Sequence, residues 1–167
     1  MPKLTKGLLL VIDGTDGSGK KTQTDLLYNY LKNEGYAVHK MSFPSHNEPS
    51  GFLVDQYLNG VYGKNANDVN PQAASILYAV NRYDKSQTFI KPALANNEIV
   101  IADRFVAANM GHQGGKFDSR EKMVEYFQWL YELEYKILGT PIPDMNILLH
   151  VNPEINTKLI ANRGNVQ

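Results

Sequence analysis

The residues with the clearest chemistry lie near the start of the chain, in GTDGSGKKTQ, residues 14–23. The stretch matches the phosphate-binding pattern G-x-x-x-x-G-K-[ST] except at its eighth position, where Lys21 stands in place of Ser or Thr. Glycines at 14, 17 and 19 free the backbone to turn its N–H groups inward around phosphate oxygens. A helix beginning just after Gly19 would add partial positive charge at its N-terminus. Lys20 would reach the β- and γ-phosphates of a nucleoside triphosphate. Gly14, Thr15, Asp16, Gly17, Ser18, Gly19, Lys20, Lys21 and Thr22 are therefore the candidate nucleotide-binding set. The pattern's hydroxyl normally binds Mg²⁺. A charged Lys has no lone pair to offer, and Thr22 is turned about 100° further round a helix. Mg²⁺ is then expected to be held by the ATP phosphates and by waters ordered on Asp103 and Asp16, with Lys21 turned to solvent or to a neighbouring carboxylate.

Two further groups carry chemistry. IVIADRF, residues 99–105, ends an apolar run in Asp103-Arg104, a carboxylate and a guanidinium at the edge where parallel α/β sheets bind ligands. Arginine suits a two-point grip on phosphate, and aspartate suits the shell of Mg²⁺. The alternative is a structural ion pair at a strand end. In ILYAVNRYDK, residues 76–85, Tyr78 and Arg82 share one helix face, so an aromatic plane and a guanidinium could receive a base. A half-buried surface pair would show the same spacing.

The elements that must position these residues follow from periodicity. Leu8–Ile12, Ala37–Phe43, Ile99–Ala102 and Asn146–Val151 read as short strands buried on both faces. Helical spacing falls between them, over Gly19–Asn33, from Pro71 onward, and over Ser119–Leu138 with Met123, Phe127, Leu130, Glu134 and Leu138 on one stripe. Asn152-Pro153-Glu154 reads as one more helix start, running toward Arg163. Alternating strands and helices predict an α/β fold, three layers with a central parallel sheet. The 167 residues suit one domain, and 43% hydrophobic residues suffice for a core. Seventeen basic side chains balance seventeen acidic ones, which argues against a nucleic-acid surface. The absence of cysteine excludes disulfides and thiolate metal sites and suits a reducing cytoplasm. The run GLLLVID is too short to span a bilayer, and no membrane partner is expected.

In combination and in this order, the motifs resemble the thymidylate kinase family of P-loop nucleoside-monophosphate kinases. The phosphate loop, Phe43-Pro44 after the second strand, Tyr78-Ala-Val-Asn-Arg82, D-R-F-x(7)-Q-G from Asp103, and P-D-x-x-x-x-L from Pro143 all fall at that family's spacing. The resemblance spans nearly the whole chain and implies transfer of the γ-phosphoryl group of ATP to dTMP, with Mg²⁺, in a homodimer. It implies that Lys20 and Arg104 act on the transferring and acceptor phosphates, and that Asp16 lies near the acceptor's sugar and phosphate. Phe43 and Pro44 would shape the monophosphate pocket, Tyr78 would stack on the base, and Arg82 would read its edge. Ala108 stands where the family has Ser. His112 stands at the aromatic before Gln113 that helps exclude ribose, and Gly17 where one branch carries a loop arginine. Arg163-Gly164 falls where the lid arginines of the other branch begin, so Arg163 joins the catalytic set. The remaining lid, strand and helices of the family are expected to be missing from the chain. A P-loop kinase for another nucleotide or nucleoside, a weakly catalytic nucleotide-binding homologue and an NTP-hydrolysing module are the alternatives.

Overall fold

The computed structural model describes residues 4–65 and 67–152. Four parallel strands, β1 (Leu8–Gly14), β2 (Val38–Ser42), β3 (Ile99–Asp103) and β4 (Met145–Leu149), lie in the order β2-β3-β1-β4. In register, Leu8–Ile12 of β1 pair with Ile99–Asp103 of β3, and Leu10–Gly14 pair with Met145–Leu149 of β4. Alternation along the strands splits the core in two. Leu9, Val11, Val100 and Ala102 point to one face with Phe105, Tyr126 and Leu130. Ile12, Ile99, Ile101 and Val38 point to the other, under Leu27 and Leu31. These are the three expected layers.

The helices are α1 (Lys20–Asn33), α2 (Phe52–Leu58), α3 (Pro71–Lys85), α4 (Lys91–Ala95), α5 (Val106–Gly114) and α6 (Arg120–Tyr131). Asn70 caps α3 by accepting from the N–H groups of Gln72 and Ala73, and Pro71 occupies the first turn, where its missing N–H costs nothing. Ser119 caps α6 through the N–H of Lys122.

Two expectations need correction. The stripe from Ser119 to Leu138 is not one α-helix: α6 gives way at Glu132–Ile137 to a π-helical segment. There the N–H of Leu138 reaches back to the carbonyl of Leu133, so one extra residue is accommodated per turn. Nor are the two edge strands buried on both faces: Lys40 and Ser42 of β2 are exposed, and in β4 Met145 is 55% and Leu148 72% exposed. The helix expected after Asn152, with Arg163, lies outside the described residues.

Candidate active site

The chain leaves β1 toward β2 on one side of the sheet and leaves β3 toward β4 on the other. The carboxyl ends of β1 and β3 therefore flank a topological switch point, where open α/β sheets form their ligand crevice. The phosphate loop follows β1 and Asp103-Arg104 ends β3, so both motifs border this crevice.

Within the loop, Gly17 and Gly19 adopt φ of 87° and 88°, left-handed values that a side chain would resist. Gly19 is the N-cap of α1 and offers no side-chain cap, which leaves the first helical N–H groups available to an anion. Lys20 is only 4% exposed. Its ammonium donates to the carbonyls of Gly14 at 2.8 Å and Thr15 at 2.7 Å and lies 3.7 Å from Asp16. Burial and the nearby Arg104 charge pull its pKa below the ordinary lysine value, against the carboxylates of Asp16 and Asp103.

Arg104 has φ of 68°, rare for a residue with a side chain. Its N–H donates to the carbonyl of Ile12 at 3.0 Å, which ties β3 to β1 at this point. Its guanidinium donates to Asp16 and lies 3.7 Å from Asp103. Burial alone would raise Asp16, but the Arg104 hydrogen bond and charge, with Lys20 and His112, outweigh it and hold the carboxyl below the usual range. Asp103 is raised by burial, against the pull of Arg104 and Lys20. Asp13, one residue before the loop, is likewise raised by burial, against the backbone N–H of Phe105 and the charges of Lys20 and Arg104.

Beside Arg104 opens a cavity of about 410 Å³. Every residue read from the sequence as acceptor-side lines it: Phe43 and Pro44 from the loop after β2, Tyr78 and Arg82 from α3, and Arg104 with Ala108, His112 and Gln113 from β3 and α5. Asp16 reaches it from the phosphate loop. Burial, then the neighbouring Tyr57, push the Tyr78 hydroxyl up to about 12, so Tyr78 is neutral. Its ring meets Tyr57 edge-on at 6.1 Å. The Arg82 guanidinium is not loose: Nε donates to Glu134 Oε1 at 2.8 Å and Nη2 to the same oxygen.

Sequence reasoning missed several members of this wall. His46, Tyr57, Asn109 and Lys116 line it too, and Lys116 donates to the Tyr57 hydroxyl at 3.1 Å. Asn109 falls at an open position of the D-R-F-x(7)-Q-G stretch and His46 two residues after Pro44, while Tyr57 reaches the cavity through folding at long range. Glu134 did leave a signal: it is the only carboxylate on the stripe of Met123, Phe127, Leu130, Glu134 and Leu138.

A second cavity, of about 270 Å³, is lined by Lys21, Thr24, Asp25 and Asp103, with Lys40, Met41 and Ser42. Lys21 and Thr22 are exposed, and the Lys21 charge helps to lower Asp25, chiefly held down by its hydrogen bond from Lys40. Thr24, one helical turn beyond Lys20, is buried with its hydroxyl unbonded among the described residues.

A phosphate loop after β1, a strand-end Asp-Arg pair across the switch point and a cavity beside them define a P-loop phosphotransferase. The family model for thymidylate kinase matches residues 12–167. The chain belongs to the thymidylate kinase family. It is 30% identical over 151 residues to a thymidylate kinase of Prochlorococcus marinus, covering 89% of this chain and 68% of that protein. A thymidylate kinase of Exiguobacterium is 29% identical, with 95% of this chain and 70% of that protein covered. Among solved structures, a thymidylate kinase from Candida albicans, described as having broad substrate specificity, superposes with a TM-score of 0.75 at 28% identity, over 92% of this chain and 67% of that one.

Proposed function

We propose that this chain transfers the γ-phosphoryl group of ATP to the phosphate of dTMP, giving ADP and dTDP for dTTP synthesis. The observation that carries the reading is the convergence of Asp16, Arg104, Tyr78 and Arg82 on one cavity next to the phosphate loop. A site that only hydrolysed a nucleotide would need no such acceptor wall.

Phosphoryl transfer asks the protein for alignment and charge neutralisation more than for covalent chemistry. An oxygen of the acceptor phosphate, already an anion at neutral pH, attacks the γ-phosphorus in line as the bond to the bridging oxygen of ADP breaks. No general base is needed. The loop amides from Gly14 to Gly19 cradle the donor phosphates. Lys20 exchanges the carbonyls of Gly14 and Thr15 for the transferring phosphoryl oxygens. Arg104 holds the acceptor phosphate, with Asp16 fixing its guanidinium, and Phe43 and Pro44 close the pocket behind it. Tyr78 offers its ring to the base, and Gln113 and His112 stand along the sugar side. Arg163 is assigned with them to the developing charge.

The donor set beside the loop fits a hydrated Mg²⁺. Asp103 presents a buried Oδ1 without a hydrogen bond, and Thr24 presents an unbonded buried hydroxyl to the same cavity. Mg²⁺ so bound would neutralise phosphate charge, with Asp103 as its main carboxylate and Asp16 acting beside it through Arg104. A cytoplasmic homodimer without nucleic-acid partners completes the proposal. Ile76, Val80 and Tyr83, exposed at helical spacing along α3, supply an apolar stripe for the second copy. No helix among the described residues is long and apolar enough to cross a membrane.

The test is ADP release with dTMP, dUMP, UMP, CMP and thymidine offered in turn. The reading requires dTMP to give the highest kcat/KM. Acceptor-independent hydrolysis, or a clear preference for another acceptor, would overturn it.

A further inference from the structure

Arg82 is 1% exposed and Glu134, which takes its charge, is fully buried. A buried ion pair contributes little net stability, since desolvation offsets most of the attraction, and apolar residues of equal volume often do as well. Stability is therefore a poor reason for this pair. Its placement offers a better one. Arg82 lines the acceptor cavity, whereas Glu134 stands behind it on the π-helical segment after α6, away from the cavity.

Glu134 is itself held at several points. Its Oε1 receives two N–H groups from Arg82, and its Oε2 receives the Thr140 hydroxyl at 3.1 Å. The backbone N–H of Thr140 returns to the Glu134 carbonyl at 2.9 Å. Thr140 is buried as well. The π-helical segment accommodates an extra residue where the stripe turns toward α3, and such insertions recur at functional sites. The contacts form a chain: Thr140 bonds Glu134, Glu134 bonds Arg82, and Arg82 lines the cavity. Two of the guanidinium's five N–H groups are committed to Glu134, and the planar fork directs the others away from that carboxylate.

We infer that Glu134, locked by Thr140, is the positioning residue that aims Arg82 at the acceptor base and thereby sets both acceptor affinity and base choice. The inference rests on the proposed function. A guanidinium only donates, so a fixed one favours a base that presents a carbonyl oxygen and rejects one presenting an amino group at the same place. A guanidinium free to turn would discriminate less.

The experiment is steady-state kinetics on the full chain with dTMP and dCMP, comparing wild type with Thr140→Val, Thr140→Ser and Glu134→Gln. Thr140→Val keeps the ion pair and the volume but removes the bond to Oε2. It should raise the KM for dTMP about three- to ten-fold, the range of one ordinary hydrogen bond, while kcat and the KM for ATP stay within about two-fold. The preference for dTMP over dCMP should narrow in proportion, and Thr140→Ser should restore both. Glu134→Gln should shift KM further in the same direction. If Glu134→Gln does not fold, the Thr140 pair decides alone. Unchanged dTMP KM in Thr140→Val, or an equal loss in kcat and both KM values, would overturn the inference. A wild type without dTMP turnover overturns the functional reading instead. Calorimetric titration with dTMP then decides the positioning role: weaker binding by Thr140→Val and recovery in Thr140→Ser support it, and equal affinities overturn it.

Discussion

At the residue scale, the site concentrates charge that folding alone would not favour. Lys20, Asp103 and Asp13 are all largely withdrawn from water, and Arg104 is held in a left-handed backbone conformation. Strain and desolvation of this kind persist where the surrounding structure holds them and the chemistry uses them. Two groups should be indispensable. Lys20→Ala and Arg104→Ala should each lower kcat/KM by about 10³-fold, the scale on which a transition-state cation acts in phosphoryl transfer. A steady-state assay in which either variant kept most of its activity would reject the assignment. Asp13 differs, because burial raises its pKa against the backbone N–H of Phe105 and the charges of Lys20 and Arg104. The folded chain therefore keeps that proton to higher pH than the unfolded chain does. Stability must decline as pH climbs from the unfolded aspartate value through the raised one. Asp13→Asn removes this dependence, so its stability relative to wild type should rise with pH. Urea midpoints at pH 4.5 and 7.5 should show the gap to wild type widening with pH; a constant or shrinking gap would refute the account.

At the element scale, the loop after β2 is fastened to α3 by Asn81 and by the ion pair of Lys85 with Glu48. Asn81 is buried, accepts the N–H of Ser45 at 3.0 Å and donates to the Ser50 hydroxyl at 2.9 Å. The same loop carries Pro44 and His46 into the acceptor cavity. Asn81→Ala should therefore cost about 1–2 kcal/mol of stability, from two lost hydrogen bonds and an unpaired Ser45 amide, and should raise the KM for dTMP more than that for ATP. Equal effects on the two substrates would show that the fastening is not specific to the acceptor side. Asn81 also marks how far the sequence could be read. β1, β2 and β3, with α1 and the start of α3, were legible because apolar runs, glycines and a Pro-opened turn act locally. α5 was not: VAANMGHQG mixes small, polar and glycine residues, and Val106, Asn109 and Gln113 are buried only because the rest of the chain packs over them. The π-helical segment was invisible for a related reason, since a single extra residue within a helix alters facing without altering composition. The acceptor wall was legible at the motif residues, while Tyr57, Lys116 and the Glu134–Thr140 pair depend on contacts between distant elements.

At the scale of the whole molecule, the acceptor cavity is where the sheet and its helices meet. Its walls come from the phosphate loop after β1, the loop after β2, the end of β3, and α2, α3 and α5. Elements on both sides of the switch point are thus joined through one site. Binding to the folded state alone stabilises it by mass action, by about 2.7 kcal/mol at a ligand concentration one hundred times Kd. For a chain of this size about 1 kcal/mol moves Tm by roughly 2–4 °C, so saturating dTMP should raise Tm by roughly 5–10 °C. At one fixed dTMP concentration, Arg104→Ala should lose most of that shift, because it removes the acceptor-phosphate contact. It should retain the shift produced by ATP, whose cradle is the loop backbone from Gly14 to Gly19. Differential scanning calorimetry with each nucleotide separates these outcomes. A dTMP shift that survives in Arg104→Ala would place the acceptor elsewhere in the cavity, and loss of both shifts together would mean that Arg104 supports the fold and not one substrate.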